Sequence, residues 1–500
     1  MIATAGEPRK TYRSLVPARM DRLPWTRFHT LVVVGLGISW ILDGLEIAII
    51  SQVSTVLQDR DTLHLSTTQV GLVASCYLLG EVVGALVFGR ITDRFGRKKL
   101  FIITMALYLI ASGIAGLSFS LWFLLLFRFL AGAGIGGEYT AINSAIDELI
   151  PAYYRGRVDI AINGTYWGGA ILGAAANVLL LDPNLLPVNL GWRIGFFIGP
   201  VIGVMIIFVR RAIPESPRWL MTHGRHEEAE RIVDEIETGV RADGIELQPV
   251  PEEKALEVTG RGNVSYRQIA KTMLKDYPSR SFLGFSMMVA QAFLFNAIFF
   301  TYSLVLVHVY HVEDQNTSYF LFLFAAGNLI GPLTLGKLFD TIGRRKMIAF
   351  TYCVSGIILA ISAQLFFANL LTATTQTIIW CVTFFFASAG ASAAYLTVSE
   401  IFPLELRAQA ISFFFAIAQL TGGVAAPLIF GYLIGDGTSH GALTAGYYTG
   451  AVIMIAGGII AWCFGVDAER KSLEDIANPL SAAPRPIEPA VEWGTRSGTA

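Results

Sequence analysis

Gly89-Arg90-Ile91-Thr92-Asp93-Arg94-Phe95-Gly96-Arg97-Lys98-Lys99 recurs as Gly336-Lys337-Leu338-Phe339-Asp340-Thr341-Ile342-Gly343-Arg344-Arg345-Lys346. A second pair repeats with it. Glu148-Leu149-Ile150-Pro151 with Arg155 returns as Glu400-Ile401-Phe402-Pro403 with Arg407. Both echoes lie roughly 250 residues downstream of their first copies. Two unrelated motifs repeating at one spacing mark a duplicated unit, so the fold question reduces to what one half is.

The halves are built of apolar runs. The chain has 500 residues, 54% of them hydrophobic, and runs of about 20 apolar residues recur along its length, which a soluble domain of this size would not show. About twelve spans are predicted, at 28–51, 67–89, 99–118, 121–146, 158–181, 192–210, 282–309, 317–337, 347–369, 374–399, 407–434 and 443–465. The expected fold is therefore an all-α membrane protein, with twelve transmembrane helices in two pseudo-symmetric six-helix bundles. Its parts are an N-terminal tail (1–27), a first bundle (28–211), a linker (212–280), a second bundle (281–466) and a polar, Pro-rich tail (467–500) expected to be disordered. Within the linker, the charged pattern from Gly224 to Glu237 reads as a solvated surface helix.

Lys and Arg set the orientation. Arg9, Lys10, Arg13, Arg19, Arg22 and Arg27 crowd the first tail, and Arg90, Arg94, Arg97, Lys98 and Lys99 crowd the loop after span 2. The alternate loops are nearly bare. Both termini and the linker are thus expected on the cytoplasmic side of a cell membrane. No apolar segment precedes Phe28 that would read as a secretory signal.

Other classes find little support. A net charge of −1 gives no general signal for nucleic acid. Cys76, Cys353, Cys381 and Cys463 all sit in apolar runs without metal-ligand or disulfide spacing, and read as small apolar fillers. There is no nucleophile elbow, and the glycines of span 4 are not followed by Gly-Lys-Ser/Thr. No enzyme activity, cofactor or metal is expected.

The first span carries two carboxylates, Asp43 and Glu46, three residues apart and hence on one helix face. Ionisable groups at membrane depth need a partner, a proton or water, and are functional by default. The other reading is a packing pair satisfied by its neighbours. Asp43 and Glu46 lie about 15–18 residues along span 1, roughly 22–27 Å from its cytoplasmic end. Arg128 sits about seven residues below the outer end of span 4, at a similar depth. An arginine there needs an anion, and these two acids are candidates. Glu81 and Glu138 are further intramembrane acids. Each could be a second proton site, bind a cationic group, or be structural.

These residues resemble the major facilitator superfamily over roughly 28–466. The loop Gly89 to Lys99 is similar to its signature between spans 2 and 3. Arg128-Phe129-Leu130-Ala131-Gly132-Ala133-Gly134-Ile135-Gly136-Gly137 and Pro214-Glu215-Ser216-Pro217-Arg218-Trp219-Leu220 resemble motifs of its sugar-porter branch. The acidic first span resembles the synaptic-vesicle-protein-like group and the aromatic-acid and niacin transporters. The resemblance implies secondary active transport of a small polar organic solute, a sugar, polyol or aromatic or organic acid, by proton symport with alternating access. It implies that Asp43 and Glu46 exchange a proton with Arg128 as switch partner; Glu81 and Glu138 are further candidates for proton coupling, and Glu138 stands where the sugar-porter pattern has no acid. It aligns Gln291 and Asn296 of span 7 with residues that bind sugar hydroxyls, and Asn163, Tyr166 and Trp167 of span 5 with the opposing face; Tyr302 is a further candidate. It implies a latch in which Asp93, Arg97, Glu148, Arg155, Glu215 and Arg218 pair with Asp340, Arg344, Glu400 and Arg407 when the inner side is shut. The span-4 and span-5 glycines, Gly132, Gly134, Gly136, Gly137, Gly164, Gly168, Gly169 and Gly173, allow close helix approach. The expected partners are the solute, protons and the lipid bilayer, with the monomer as functional unit. An uncoupled facilitator and a non-transporting membrane sensor are the alternatives.

Overall fold

The computed structural model describes residues 11–477, apart from 58, 181, 183, 212, 260–270, 300, 301, 303, 304, 314, 315, 404, 405, 425, 427, 428, 431, 432 and 434–439. Its helices follow the apolar runs. The first series is α1 (Val16–Asp21), α2 (Arg27–Val56), α3 (Thr67–Phe95), α4 (Arg97–Ala115), α5 (Leu121–Leu149), α6 (Ala152–Leu180) and α7 (Val188–Arg211). The connecting segment holds α8 (Pro217–Thr222) and α9 (His226–Ala242). The second series is α10 (Pro278–Phe299), α11 (Thr317–Thr341), α12 (Arg344–Phe367), α13 (Ala373–Glu400), α14 (Arg407–Ala418) and α15 (His440–Phe464), followed by the short α16 (Leu473–Ile476).

Among the described residues, nine helices are long and apolar enough to cross a membrane. Two shorter apolar helices, Val188–Val204 and Gln409–Val424, and α6, whose first turns carry Arg155, Arg157 and Asp159, stand where the other three spans are expected. Several helix starts are locally encoded. Ser66 and Thr372 close capping boxes with Gln69 and Thr375, and Ser120 caps α5.

Helix pairing repeats. In the first series α2 packs on α6 and α7, α3 on α5, and α4 on α5 and α7. In the second, α10 packs on α14 and α15, α11 on α13, and α12 on α13 and α15. This is the same set of neighbours shifted by six spans. The two series meet through α3 against α14 and α6 against α11.

The repeated loop motif also repeats its stereochemistry. Gly96 and Gly343 both have positive φ, +97° and +116°, where a Cβ is strained. At each, a distant glutamate accepts from the N-terminus of the following helix. Glu215 accepts from the Arg97 amide at 2.9 Å, and Glu469 from the Arg344 amide at 3.4 Å. An anion at a helix N-terminus satisfies an orphan donor and opposes the dipole.

Backbone contact, not side-chain packing, sets the closest crossings. A Cβ at Gly136 would lie 2.0 Å from the Glu81 carbonyl oxygen, and one at Gly84 2.0 Å from that of Ala133. These glycines hold α3 against α5, and Gly44 and Gly169 do the same for α2 against α6. Gly136→Val should therefore force the helices apart, costing about 1–3 kcal/mol. Thermal unfolding in detergent should show a lowered midpoint. Gly168→Ala, with nothing within 4 Å of the added methyl, should leave it unchanged.

The structure corrects two expectations. The chain is not purely helical: β1 (Thr11–Ser14) pairs antiparallel with β2 (Leu256–Thr259), tying the N-terminal tail to the linker. The tail does not lose order at 467, because Leu473 and Glu474 of α16 are buried; 478–500 lie outside the described residues.

Helix α9 also does more than face solvent. Ala229, Val233 and Val240 bury one side, and its Glu237 receives Arg19 at 2.9 Å and Arg22 at 2.5 Å. Burial opposes the charge on Glu237, but the hydrogen bonds from Arg19 and Arg22 outweigh it and hold the carboxyl below its ordinary value. A depressed carboxyl stabilises above its unfolded pKa, and that contribution fades as the pH falls through the folded value.

Candidate functional site

Three helices bring the intramembrane charges together: α2 carries Asp43 and Glu46, α3 carries Tyr77 and Glu81, and α5 carries Arg128, Glu138 and Tyr139. The glycine crossings allow these backbones to approach. Glu46 Oε1 accepts from Arg128 Nη1 at 2.6 Å, with both side chains nearly fully buried. The Arg128 guanidinium also lies over the Tyr77 ring, 4.0 Å from its centroid. Asp43 does not touch Arg128 here; its Oδ1 accepts from Tyr77 at 3.3 Å and its Oδ2 from Tyr139. The two acids, adjacent on one helix face, are therefore held differently, one by a cation and one by two hydroxyls.

Beside this cluster is a cavity of about 150 Å³ at the seam between the helix series. Asn163, Tyr166 and Trp167 line it from α6, and Gln291 and Asn296 from α10. Tyr302 does not line it. Its hydroxyl meets Thr377 at 2.9 Å and the Phe320 carbonyl at 3.2 Å, which sets it in the packing of the second series. Glu81 lines the cavity, while Asp43, Glu46, Arg128 and Glu138 do not. Glu138 is buried on α5.

Sequence reading missed several wall residues. Trp40 stacks on Tyr139 with ring centroids 4.5 Å apart, and Tyr395 and Phe415 approach the same pair. Asn328, Ser388 and Ser392 add polar atoms. Gln419, in the π-helical turn that continues α14, donates to Glu81 Oε2 at 2.7 Å and so joins the two series across the cavity. A signal was present for some of these: Trp40 lies three residues before Asp43, and Gln419 is an amide in an apolar run. Which face they turn needed the packing.

Ion pairs fasten the end of the molecule that carries the loop motifs. Arg344 binds Glu400 and, at 3.3 Å, Asp340. Arg155 reaches Glu400 at 3.5 Å, and Asp340 accepts from the Arg157 amide at 2.8 Å. The contacts of Arg155 and Arg157 cross between the series. Arg407 is 4.0 Å from Asp147, a buried acid the sequence reading did not single out. The expected set-to-set pairing fails for four members. Arg97 pairs with Glu148 at 2.7 Å, within the first series. Glu215 caps α4 as described above. Arg218 meets Asp21 at 2.7 Å and Glu474 at 3.3 Å, one from each tail. Arg97 and Glu148 satisfy each other inside the first series, and the two tails supply the acids that Arg218 meets. The Asp93 side chain lies outside the described residues.

A doubled helix arrangement, with a cavity at its seam and paired charges at one end, is the architecture of a major facilitator superfamily transporter. Residues 32–479 match the family described as sugar (and other) transporter, and the chain belongs to that family; it is a multi-pass membrane transporter, not an enzyme. It is similar to the niacin transporter NiaP of Acinetobacter baylyi, with 27% identity over 92% of this chain and 99% of that protein. The arabinose-proton symporter of Bacillus subtilis is 28% identical over 79% of this chain and 85% of its own length. Among solved structures, the proton:xylose symporter XylE bound to 6-bromo-6-deoxy-D-glucose superposes with a TM-score of 0.75. It is 18% identical over 90% of this chain and 98% of that one.

Proposed function

We propose that the protein is a proton symporter that imports a small polar organic solute by alternating access. On this reading residues 28–211 and 281–466 are two six-helix halves joined by 212–280, with the linker and both termini cytoplasmic, and the monomer is the working unit. The solute occupies the seam cavity. Asp43 and Glu46 take up and release the proton, with Arg128 neutralising Glu46 in one state.

The observation that carries the reading is the double role of Tyr139. Its ring forms the cavity wall against Trp40, and its hydroxyl donates to Asp43. A solute that displaces the ring shifts a hydrogen bond on the acid, which couples occupancy to protonation. The relatives support the reading, since two carry proton symport in their names and one niacin transport.

Purified protein in liposomes tests it. With an inward proton gradient, a transported solute from a panel of sugars, polyols and aromatic acids should accumulate above its external concentration, and the interior should acidify. A protonophore should return the solute to equilibrium. Uptake that stops at equilibrium with the gradient intact would mark an uncoupled carrier.

A further inference from the structure

The seam cavity carries formal charge of one sign. Glu81 is the only residue with a formal charge among its described lining residues; no Arg, Lys or His is there. Its amides point the same way. Asn163 Nδ2 donates to the Asp159 carbonyl at 2.8 Å, and Asn328 Nδ2 to the Phe324 carbonyl at 2.9 Å. Those bonds fix the amide orientation, since the NH2 must face the carbonyl. The Asn163 and Asn328 Oδ1 atoms are then buried with no donor among the described residues. Gln291 likewise turns its NH2 to the Ala387 carbonyl at 3.0 Å. The wall thus offers a carboxylate and two unsatisfied acceptors against one unsatisfied donor, the Trp40 indole N–H, and its amide donors are mostly engaged by backbone. Buried acceptors without donors are costly and point to a ligand that supplies them.

Between these polar points the wall is aromatic. Trp40, Tyr139, Trp167, Phe295 and Tyr395 present rings around the same space. Ring faces attract cations, most strongly when both are shielded from water. At about 150 Å³ the space is well below the roughly 300–1,000 Å³ of a drug-sized site.

We propose that this cavity selects a small organic cation bearing N–H donors on a flat apolar body, an amidinium, a primary ammonium or a protonated ring nitrogen, with Glu81 as its counter-charge. Asn163 and Asn328 receive its remaining N–H groups, and the rings hold its apolar face. A carboxylate ligand meets a like charge at Glu81 and no cation. This rests on the reading of the cavity as the transport site, and it names the substrate class.

Three probes of one shape test it: benzamidine as the cation, benzamide as its neutral isostere and benzoate as the anion. Binding to the purified full chain is followed by tryptophan fluorescence and thermal shift. Benzamidine should bind at least about tenfold more tightly than benzamide, and benzoate should not bind measurably. Glu81→Gln, which keeps an acceptor for Gln419, should remove the preference and bring benzamidine within about twofold of benzamide. Benzyltrimethylammonium, a cation without N–H donors, should bind more weakly than benzamidine and still respond to Glu81→Gln. Equal or tighter binding of benzamide or benzoate, a charge preference that survives Glu81→Gln, or no binding of benzamidine up to millimolar concentration would each overturn the proposal. Proton-driven uptake of a neutral or anionic solute with no Glu81-dependent charge preference would overturn it and leave symport standing. Glu81-dependent cation binding without flux in liposomes would do the reverse.

Discussion

Glu46→Gln should abolish accumulation against a gradient while leaving solute exchange across the membrane intact. Glu46 and Arg128 meet at 2.6 Å with nearly all of both side chains out of solvent. Neutralising the acid leaves Arg128 without its counter-charge. Removing one partner of a buried pair costs about 3–5 kcal/mol in typical cases. Glutamine keeps the volume, so the effect falls on charge rather than packing. The protein loses the site where a proton could replace the arginine, and with it the link between solute movement and the proton gradient. Exchange of labelled for unlabelled solute needs no net proton transfer and should persist. Asp43→Asn should give the same loss through a gentler change, because its Oδ1 can still accept from Tyr77. The expected accumulation ratio in proteoliposomes is about one for both variants, as for any carrier uncoupled from its driving gradient. Full accumulation by both would leave the coupling reading without support.

Glu400→Gln should open the motif-bearing end. This carboxylate receives Arg344 from its own half and Arg155 from the other, and all three are buried. Without it two guanidinium groups remain in place with less opposing charge. If the contact exists only in the closed state, losing a few kcal/mol moves the equilibrium by a factor of roughly 10²–10³. Ser392 lines the cavity and provides a reporter. On a background with the four native cysteines replaced, Ser392→Cys should react faster with a membrane-impermeant thiol reagent applied from the motif side when Glu400→Gln is present. Net transport should slow, since the carrier rests open on one side. Unchanged labelling and unchanged transport would argue that these pairs are static packing.

Much of the architecture could be read from the chain because duplication leaves two records of each constraint. Gly96 and Gly343 recur because the turn they make needs positive φ in both halves. The close charge pair was legible for a similar reason: few groups at the depth of Glu46 could neutralise Arg128. Side chains whose role depends on which way a helix turns were not legible. Tyr302 was expected at the solute and instead bonds to Thr377 and the Phe320 carbonyl within the second series. Gln419 became visible only when the π-helical turn aimed it at Glu81. The latch was misread for Arg218 because its partners come from both chain ends, which no local pattern links.

Asp21 adds a consequence for how the protein would be handled. One oxygen accepts from the Ala152 amide and from Arg155, and the other from Arg218. A proteolytic nick between Asp21 and Arg27, or a shortened expression clone that starts at the first span, would keep every transmembrane segment. Once the cut segment is lost, the anion shared by two buried guanidinium groups goes with it. Preparations trimmed at this end should behave as leaky valves, though they would look complete by size and helical content.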